Sequence, residues 1–237
     1  MILNEVYHYF DTSCEPKIIG VRNGIYQAEF NESCFVPKAK YDEYYDAAIK
    51  KNAKQKANIK KFIKGIRRLD LLKSAKLTDF LQPCPHIPSV NFLVSESLKA
   101  IFEEHKLGNS FLQPTVVRSL KTGEKHHYSF FYHNSIKFDD IIFESSEIYQ
   151  RTVFAKNGKL QTRDKLYPIR NRAHYDELSE KFFLPPFSKI CVDSKYKQFD
   201  YIEVYTYKFV SQRLKEKLIA GGMTGIEFGT RVQLVFD

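Results

Sequence analysis

The sequence predicts an α+β fold, with mixed or mainly antiparallel sheets covered by a few helices. Three observations carry that reading. Runs of aromatic and β-branched residues cluster in blocks instead of alternating strictly with helical segments. Two Asn-Gly steps, Asn23-Gly24 and Asn157-Gly158, stand between such runs, the strongest short signal of a hairpin. One helix-strand phrase is written twice, as "VSESLK" from Val94 and "VSQRLK" from Val210.

Taken in order, residues 5–30 read as strands, with "EVYHYF" followed by "KIIGVRNGIYQAEF". From Tyr41 to Ala75 the composition turns to helix formers, acidic at the start and basic later, as the helix dipole favours. Ile59, Phe62, Ile63 and Ile66 form an i, i+3, i+4, i+7 stripe, and Gly65 marks a break or a close contact. Three prolines between Pro83 and Pro88 make "LQPCPHIPS" a connector. Ser95 then stands where a helix N-cap belongs, with Leu98, Ile101 and Phe102 as the buried face, although no capping box is present.

The "KTGEK" turn, the extended runs "HHYSFFYHN" and "IKFDDIIF", and a hairpin about Asn157-Gly158 follow. After a polar stretch comes a mostly extended aromatic segment, "FFLPPFSKICVDSKYKQFDYIEVYTYKF". The chain closes on the helix "SQRLKEKLIA", a Gly221-Gly222 stop and the strand "EFGTRVQLVF".

Val94/Val210, Ser95/Ser211, Leu98/Leu214 and Lys99/Lys215 align at one offset, and Leu107/Met223 and Leu112/Phe228 keep it with similar residues. An interval of 116 residues is too long for a solenoid repeat. The expectation is two related halves, 1–120 and 121–237, or one continuous domain using the same unit twice. In each half the helix covers a sheet, and its Leu, Ile and Phe positions are core.

At 237 residues, 43% hydrophobic and 15% aromatic, the chain can bury roughly three quarters of its unfolded surface and is a folded protein. Its four cysteines form no C-x-x-C pair, and no run approaches the ~18 apolar residues of a membrane span. The opening residues have neither a basic region nor an unbroken apolar stretch, so no signal peptide is expected. A soluble, cytoplasmic protein with reduced thiols and no membrane partner is the expectation.

No enzyme signature emerges, and neither a cofactor nor a metal is expected. His126, His127 and His133 read as surface histidines on a strand, because no acidic or Cys ligand stands at a fitting spacing. Cys84 and His86 point the same way in an extended chain but lack an oxyanion loop or an orienting carboxylate. Asp139, Asp140, Glu144, Asp193 and Asp200 are the raw material of a two-metal site without its spacing. "AGGMTGIEFG" follows a helix and lacks the Lys-Ser/Thr of a phosphate loop, so it reads as a helix end.

Charge is informative once located. The net +9 is concentrated between Ala47 and Lys76, where eleven Lys/Arg face one acid, Asp70; the remainder is nearly neutral. A solvated Lys-rich face is the plain reading. A docking face for an acidic protein ranks next and a nucleic-acid surface third. Lys50, Lys54, Lys61, Lys64, Arg67 and Arg68 are the candidate partner-binding residues.

Four phrases in order, "FLVSESLKAIFEEHKL", "HHYSFFYHN", "DDIIFESSEIY" and "FVSQRLKEKLIAGGMTGIEF", resemble the large immunity-protein family of bacterial polymorphic toxin systems, family eleven in the usual numbering. The resemblance runs from about Phe92 to the end; the first 90 residues match no pattern of that family. It implies an inhibitor without catalysis that occludes a cognate toxin domain. The basic segment would suit an acidic surface on that toxin. A nucleic-acid-binding protein using residues 47–76 is the alternative.

Overall fold

The computed structural model describes residues 6–22, 26–48, 64–84, 90–156, 159–182 and 185–237. In chain order its strands are β1 (Tyr7–Thr12), β2 (Ala28–Glu29), β3 (Leu69–Leu71), β4 (Phe80–Leu81), β5 (Pro83–Cys84), β6 (Val90–Ser95), β7 (Ser110–Ser119) and β8 (Lys125–His133). They continue as β9 (Glu147–Lys156), β10 (Lys159–Pro168), β11 (Phe187–Val192), β12 (Tyr201–Val204), β13 (Tyr207–Ser211), β14 (Ile226–Gly229) and β15 (Gln233–Phe236). The helices among the described residues are α1 (Pro16–Ile19), α2 (Ala39–Ala48), α3 (Glu96–Glu103), α4 (Arg172–Phe182) and α5 (Gln212–Ala220). The class is α+β with mostly antiparallel and mixed sheets.

The chain divides into two compact units, each assembled from separated stretches. Unit 1 comprises Met1–Phe10, Ser135–Arg213 and Phe228–Asp237; unit 2 comprises Asp11–Asn134 and Leu214–Glu227. This division differs from a boundary near residue 120. A cut there would part β7 from β8, which pair antiparallel from Ser110↔His133 to Arg118↔Lys125 within unit 2.

Unit 2 is built on a seven-stranded sheet in the order β4-β6-β8-β7-β3-β2-β5. Strand alternation sorts the aromatics of β8 to its two faces. Tyr128 and Phe130 join a cluster with Leu69, Val117, Leu93 and Phe35, whereas Phe131 stacks on Phe92 with ring centroids 5.2 Å apart and meets Phe102 of α3 at 5.0 Å. Burial on both faces explains why β8 reads as a nearly continuous apolar run. It also corrects the expectation for its histidines: His127 is exposed, but His133 is 5% exposed beside the Phe131 ring.

Local chemistry corrects other expectations in this unit. Pro16 sets the first turn of α1, and Gly20, at φ 79°, closes it by donating its N–H to the Pro16 carbonyl, so the early strand run is interrupted. Pro83–Cys84 is a short strand at the sheet edge, where a missing N–H costs nothing, and not only connector. The long helix expected over 41–75 is α2 at its start and is not helix from Lys64 onward. There Ile66 forms an antiparallel bridge with Phe35, Arg67 N–H donates to the Cys34 carbonyl, and β3 begins at Leu69. Ile59, Phe62, Ile63 and the Asn23-Gly24 step lie outside the described residues.

Unit 1 holds two four-stranded sheets, β12-β13-β1-β14 and β10-β9-β11-β15. One apolar cluster draws from both: Phe209 and Ile202 from the first, Ile148, Phe187 and Ile190 from the second, with Tyr175 and Leu178 of α4. β9 and β10 pair from Lys156↔Lys159 outward, which is the hairpin spacing expected about Asn157-Gly158.

The twice-written phrase has the same local geometry each time. In unit 2, β4 runs antiparallel to β6 with Phe80 opposite Val94, and Ser95 N–H donates to the Asp79 carbonyl at 3.0 Å. Ser95 Oγ donates to Asp79 Oδ1 at 2.6 Å and accepts from Leu98 N–H at the start of α3. In unit 1, β12 runs antiparallel to β13 with Tyr201 opposite Val210, Ser211 N–H donates to the Asp200 carbonyl at 2.8 Å, and Ser211 Oγ donates to Asp200 Oδ1 at 2.6 Å. The buried helix positions also correspond, Leu98 and Phe102 in α3 with Leu214 and Leu218 in α5, but Leu214 onward belongs to unit 2, so the two units do not each keep a whole copy of the phrase, as two related halves would. The carboxylates differ in their second partner. Asp79 accepts from Thr224 N–H and Oγ, whereas Asp200 is forked by the Arg213 guanidinium.

The turn after α5 follows from the same node. Gly222, at φ 64°, ends the helix, with Met223 N–H returning to the Leu218 carbonyl. Gly225, at φ 81°, passes so close to β4 that a Cβ there would lie 2.3 Å from the Phe80 carbonyl oxygen.

Two outcomes are expected. Asp79→Ala and Asp200→Ala each remove a charged acceptor from a Ser hydroxyl and should lower unfolding free energy by about 2–3 kcal/mol. Urea titration measures this, and a loss near zero for both would deny the node its role. Burial lowers the His133 pKa to about 4, from 6.5 when unfolded. Between those values the unfolded chain binds a proton that the folded chain refuses, so stability falls as pH drops, by at most about 1.4 kcal/mol per unit. His133→Phe should flatten the dependence of the urea midpoint between pH 6.5 and 5; identical slopes for both proteins would show the assignment to be wrong.

Candidate functional site

The expected partner-binding residues sit on one segment, and the structure disperses what it describes of them. Lys50, Lys54 and Lys61 lie outside the described residues. Lys64 and Arg67 are exposed, in a turn and a bridge-flanking stretch instead of a helix. Arg68 is turned toward its own unit: its guanidinium donates to Ser33 Oγ at 3.1 Å and stands 3.5 Å from the buried Asp70. Asp70, the segment's one acid, also receives a two-pronged contact from Arg118 at 2.9 and 3.0 Å. That contact raises the already high pKa of Arg118 further.

The acids considered for metal chemistry are spread out. Asp193 receives the Lys195 N–H and pairs with its ammonium, contacts that hold its carboxyl below the usual range. Asp200 serves the Ser211 node, and Asp140 and Glu144 are exposed. Among the described residues, no three His, Cys, Asp or Glu side chains converge. Burial and the neighbouring Glu29 push the Cys84 thiol upward, away from thiolate; His86 lies outside the described residues.

A different place in unit 1 gathers exposed and strained groups. Ile136 forms a parallel bridge to Val204, with Ile136 N–H donating to the Glu203 carbonyl and Tyr205 N–H to the Ile136 carbonyl. This brings the short 3₁₀ turn Phe138–Asp140 beside the β12–β13 hairpin. The Phe138 ring is the hub. It meets Phe143 at 5.4 Å, Tyr175 at 5.1 Å and Tyr205 at 5.1 Å, and carries the Arg172 guanidinium over it at 4.4 Å. Arg172 Nε donates to both oxygens of Asp176, one helical turn on, at 3.0 and 3.1 Å, and its Nη1 to Asp139 at 2.5 Å.

Of these groups, Phe138, Asp139, Arg172, Tyr175, Asp176 and Tyr205 line a cleft of 760 Å³, completed by Ser179 and Glu180. Two of its members sit uncomfortably. Tyr205 occupies the first position of a two-residue hairpin turn with φ 57°, where Asn or Gly is favoured, and it is 55% exposed. A bulky residue held there costs about 1–2 kcal/mol, and backbone strain of this kind gathers at functional sites. Ser179 is 9% exposed, and its hydroxyl has no hydrogen-bond partner among the described residues. An orphaned buried hydroxyl costs about 1–3 kcal/mol. Chemically, the cleft offers aromatic faces, one clamped guanidinium, carboxylates and a serine whose hydroxyl has no partner among the described residues. Tyr and Arg, which it presents, are among the residue types enriched at protein interfaces.

Sequence reasoning missed this site because it left α4 inside a polar stretch. The available signal was thin: Tyr175, Leu178 and Phe182 at i, i+3, i+7, and the Arg172/Asp176 pair at i, i+4. The positive φ at Tyr205 left no mark in residue type at all. Compared with known proteins, the chain matches no protein-family model and no curated protein. No described helix is long and apolar enough to cross a membrane.

Proposed function

We propose that the protein is an immunity protein that neutralises a cognate bacterial toxin by binding and occlusion in the cytoplasm of the producing cell, without catalysis of its own. The observation that carries this reading is the exposed Tyr205, held in a left-handed turn at a cleft beside Arg172. A fixed aromatic ring gives contact area with little entropy left to lose, which is how tight inhibitory interfaces are anchored. The order of motifs from Phe92 to the C-terminus supplies the class of partner; the cleft supplies a surface suited to a protein. Lys64 and Arg67, both exposed, add a second contact type, for acidic side chains of the toxin, and keep a nucleic-acid partner as the competing reading.

The test is co-expression. The reading frame adjacent to this one is cloned, its C-terminal domain induced alone in a naive host, and the induction repeated with this protein present. Growth is expected to recover, and a stoichiometric complex to co-purify and to persist from ~50 to ~200 mM salt. Nucleic-acid binding carried by several Lys and Arg would weaken steeply over that interval. Toxicity unchanged by the protein, or a harmless neighbour, sinks the immunity reading.

A further inference from the structure

We infer that the unit 1 cleft is a docking pocket for one basic side chain, arginine or lysine, presented by the protein partner. The inference rests on the binding-protein reading above and specifies what that partner brings.

Three independent features agree. The first is charge. Asp139, Asp176 and Glu180 face a single cation, Arg172, so the cleft is acidic on balance although the chain as a whole is basic. Arg172 engages Asp139 through one oxygen, and Glu180 has no ion pair among the described residues. A carboxylate entering here would meet three like charges, and the Nε and one Nη of Arg172 are already donating. A cation meets carboxylate oxygens with accepting capacity to spare.

The second is the buried hydroxyl of Ser179, a cleft-lining residue, which has no hydrogen-bond partner among the described residues. A hydroxyl in this state is satisfied by an incoming N–H donor, and guanidinium and ammonium groups are rich in donors. The third is that the cleft already holds one guanidinium in the manner proposed. Arg172 lies over the Phe138 face at 4.4 Å while its edge is gripped by two carboxylates. Tyr205, beside the same ring and more than half exposed, offers a second π surface that nothing intramolecular has covered with charge among the described residues. Cations are attracted to such faces, arginine most often. A basic side chain from a partner would therefore find carboxylate, hydroxyl and aromatic face together, and its burial would exclude water from each.

The experiment uses the full chain, isotopically labelled, titrated by NMR with three capped peptides identical except at a central Arg, citrulline or Glu. The arginine peptide should give saturable shifts at Asp139, Asp176, Ser179, Glu180 and Tyr205. The neutral citrulline and the glutamate peptides should not. Glu180→Gln and Ser179→Ala should each weaken the arginine peptide about three- to tenfold, the scale of one charge-assisted hydrogen bond. Glu180 is exposed, so its variant should fold, and far-UV circular dichroism checks that it does. Equal shifts with citrulline, or shifts confined to residues outside the cleft, overturn the inference. Guanidinium ion alone binding as tightly as the peptide overturns it too, because the site would then serve a free small cation. The result is separable from the co-expression test. Rescue of growth that survives Glu180→Lys, with no peptide binding, rejects the pocket and leaves the immunity reading standing. Arginine-selective binding without any rescue retains the pocket and rejects that reading.

Discussion

The contact on which most of the architecture turns is the pairing of an aspartate with the serine that opens a helix. At Asp79–Ser95 and again at Asp200–Ser211, one residue pair joins three things at a point: the start of one strand, the end of its antiparallel neighbour, and the first turn of a helix. The backbone bond, serine N–H to aspartate carbonyl, closes the strand ladder. The side-chain bond fixes the serine hydroxyl, whose remaining lone pair at Ser95 takes the otherwise orphaned Leu98 N–H. The aspartate's second oxygen still needs a donor, and each copy finds its own: a threonine in one, a guanidinium in the other. A conserved geometry with an exchanged third partner is the signature of a constraint on shape and not on one particular contact.

That constraint reaches the cleft through a short lever. In unit 1, Asp200 anchors one end of β12, four residues long, and Tyr205 stands at the other. β12 is fully buried along its length and pinned to β13 from Tyr201↔Val210 to Val204↔Tyr207. Little freedom is left at the turn, so the left-handed conformation of Tyr205 is imposed by the ladder and not chosen by the residue. The bridge from Val204 to Ile136 then sets Phe138, and Phe138 sets Arg172. A two-residue turn closed by a fully paired strand ladder thus presents the exposed ring.

What was legible in the sequence follows the same physics. The phrase Val-Ser-x-x-Leu-Lys was visible because four residue identities recur at fixed spacing. Its aspartates were not, because Asp79 and Asp200 sit 16 and 11 residues ahead of their serines and only strand pairing brings them close. Charge counting located the basic segment, but the helix expected there does not extend over its described end, from Lys64 onward. A Lys-rich composition raises helix propensity, yet the bridge of Ile66 to Phe35 and the buried Asp70 between Arg68 and Arg118 hold its end extended. The N-terminal strand run was read too long because one Pro and one Gly suffice to close a single helical turn at Pro16–Ile19. The α4 helix escaped because its buried stripe is narrow, and its other face is polar in the way that a binding surface and an ordinary solvated face share.

The cleft's energetic costs lie close together, and that bears on how it is read. A strained tyrosine and a buried hydroxyl without a partner among the described residues each oppose folding by an amount that matters beside a net stability of about 5–15 kcal/mol. Either could be removed by a single substitution, Asn at the turn or Ala on the helix, without touching the core clusters. Both line the same cleft, alongside an arginine whose guanidinium lies over an aromatic face between two carboxylates. Costs scattered over a fold are the residue of imperfect packing. Of the buried polar atoms without a partner among the described residues, Ser179 Oγ alone belongs to a residue lining this cleft, and a donor-rich cation entering there would offset that cost while leaving the backbone strain of Tyr205 in place.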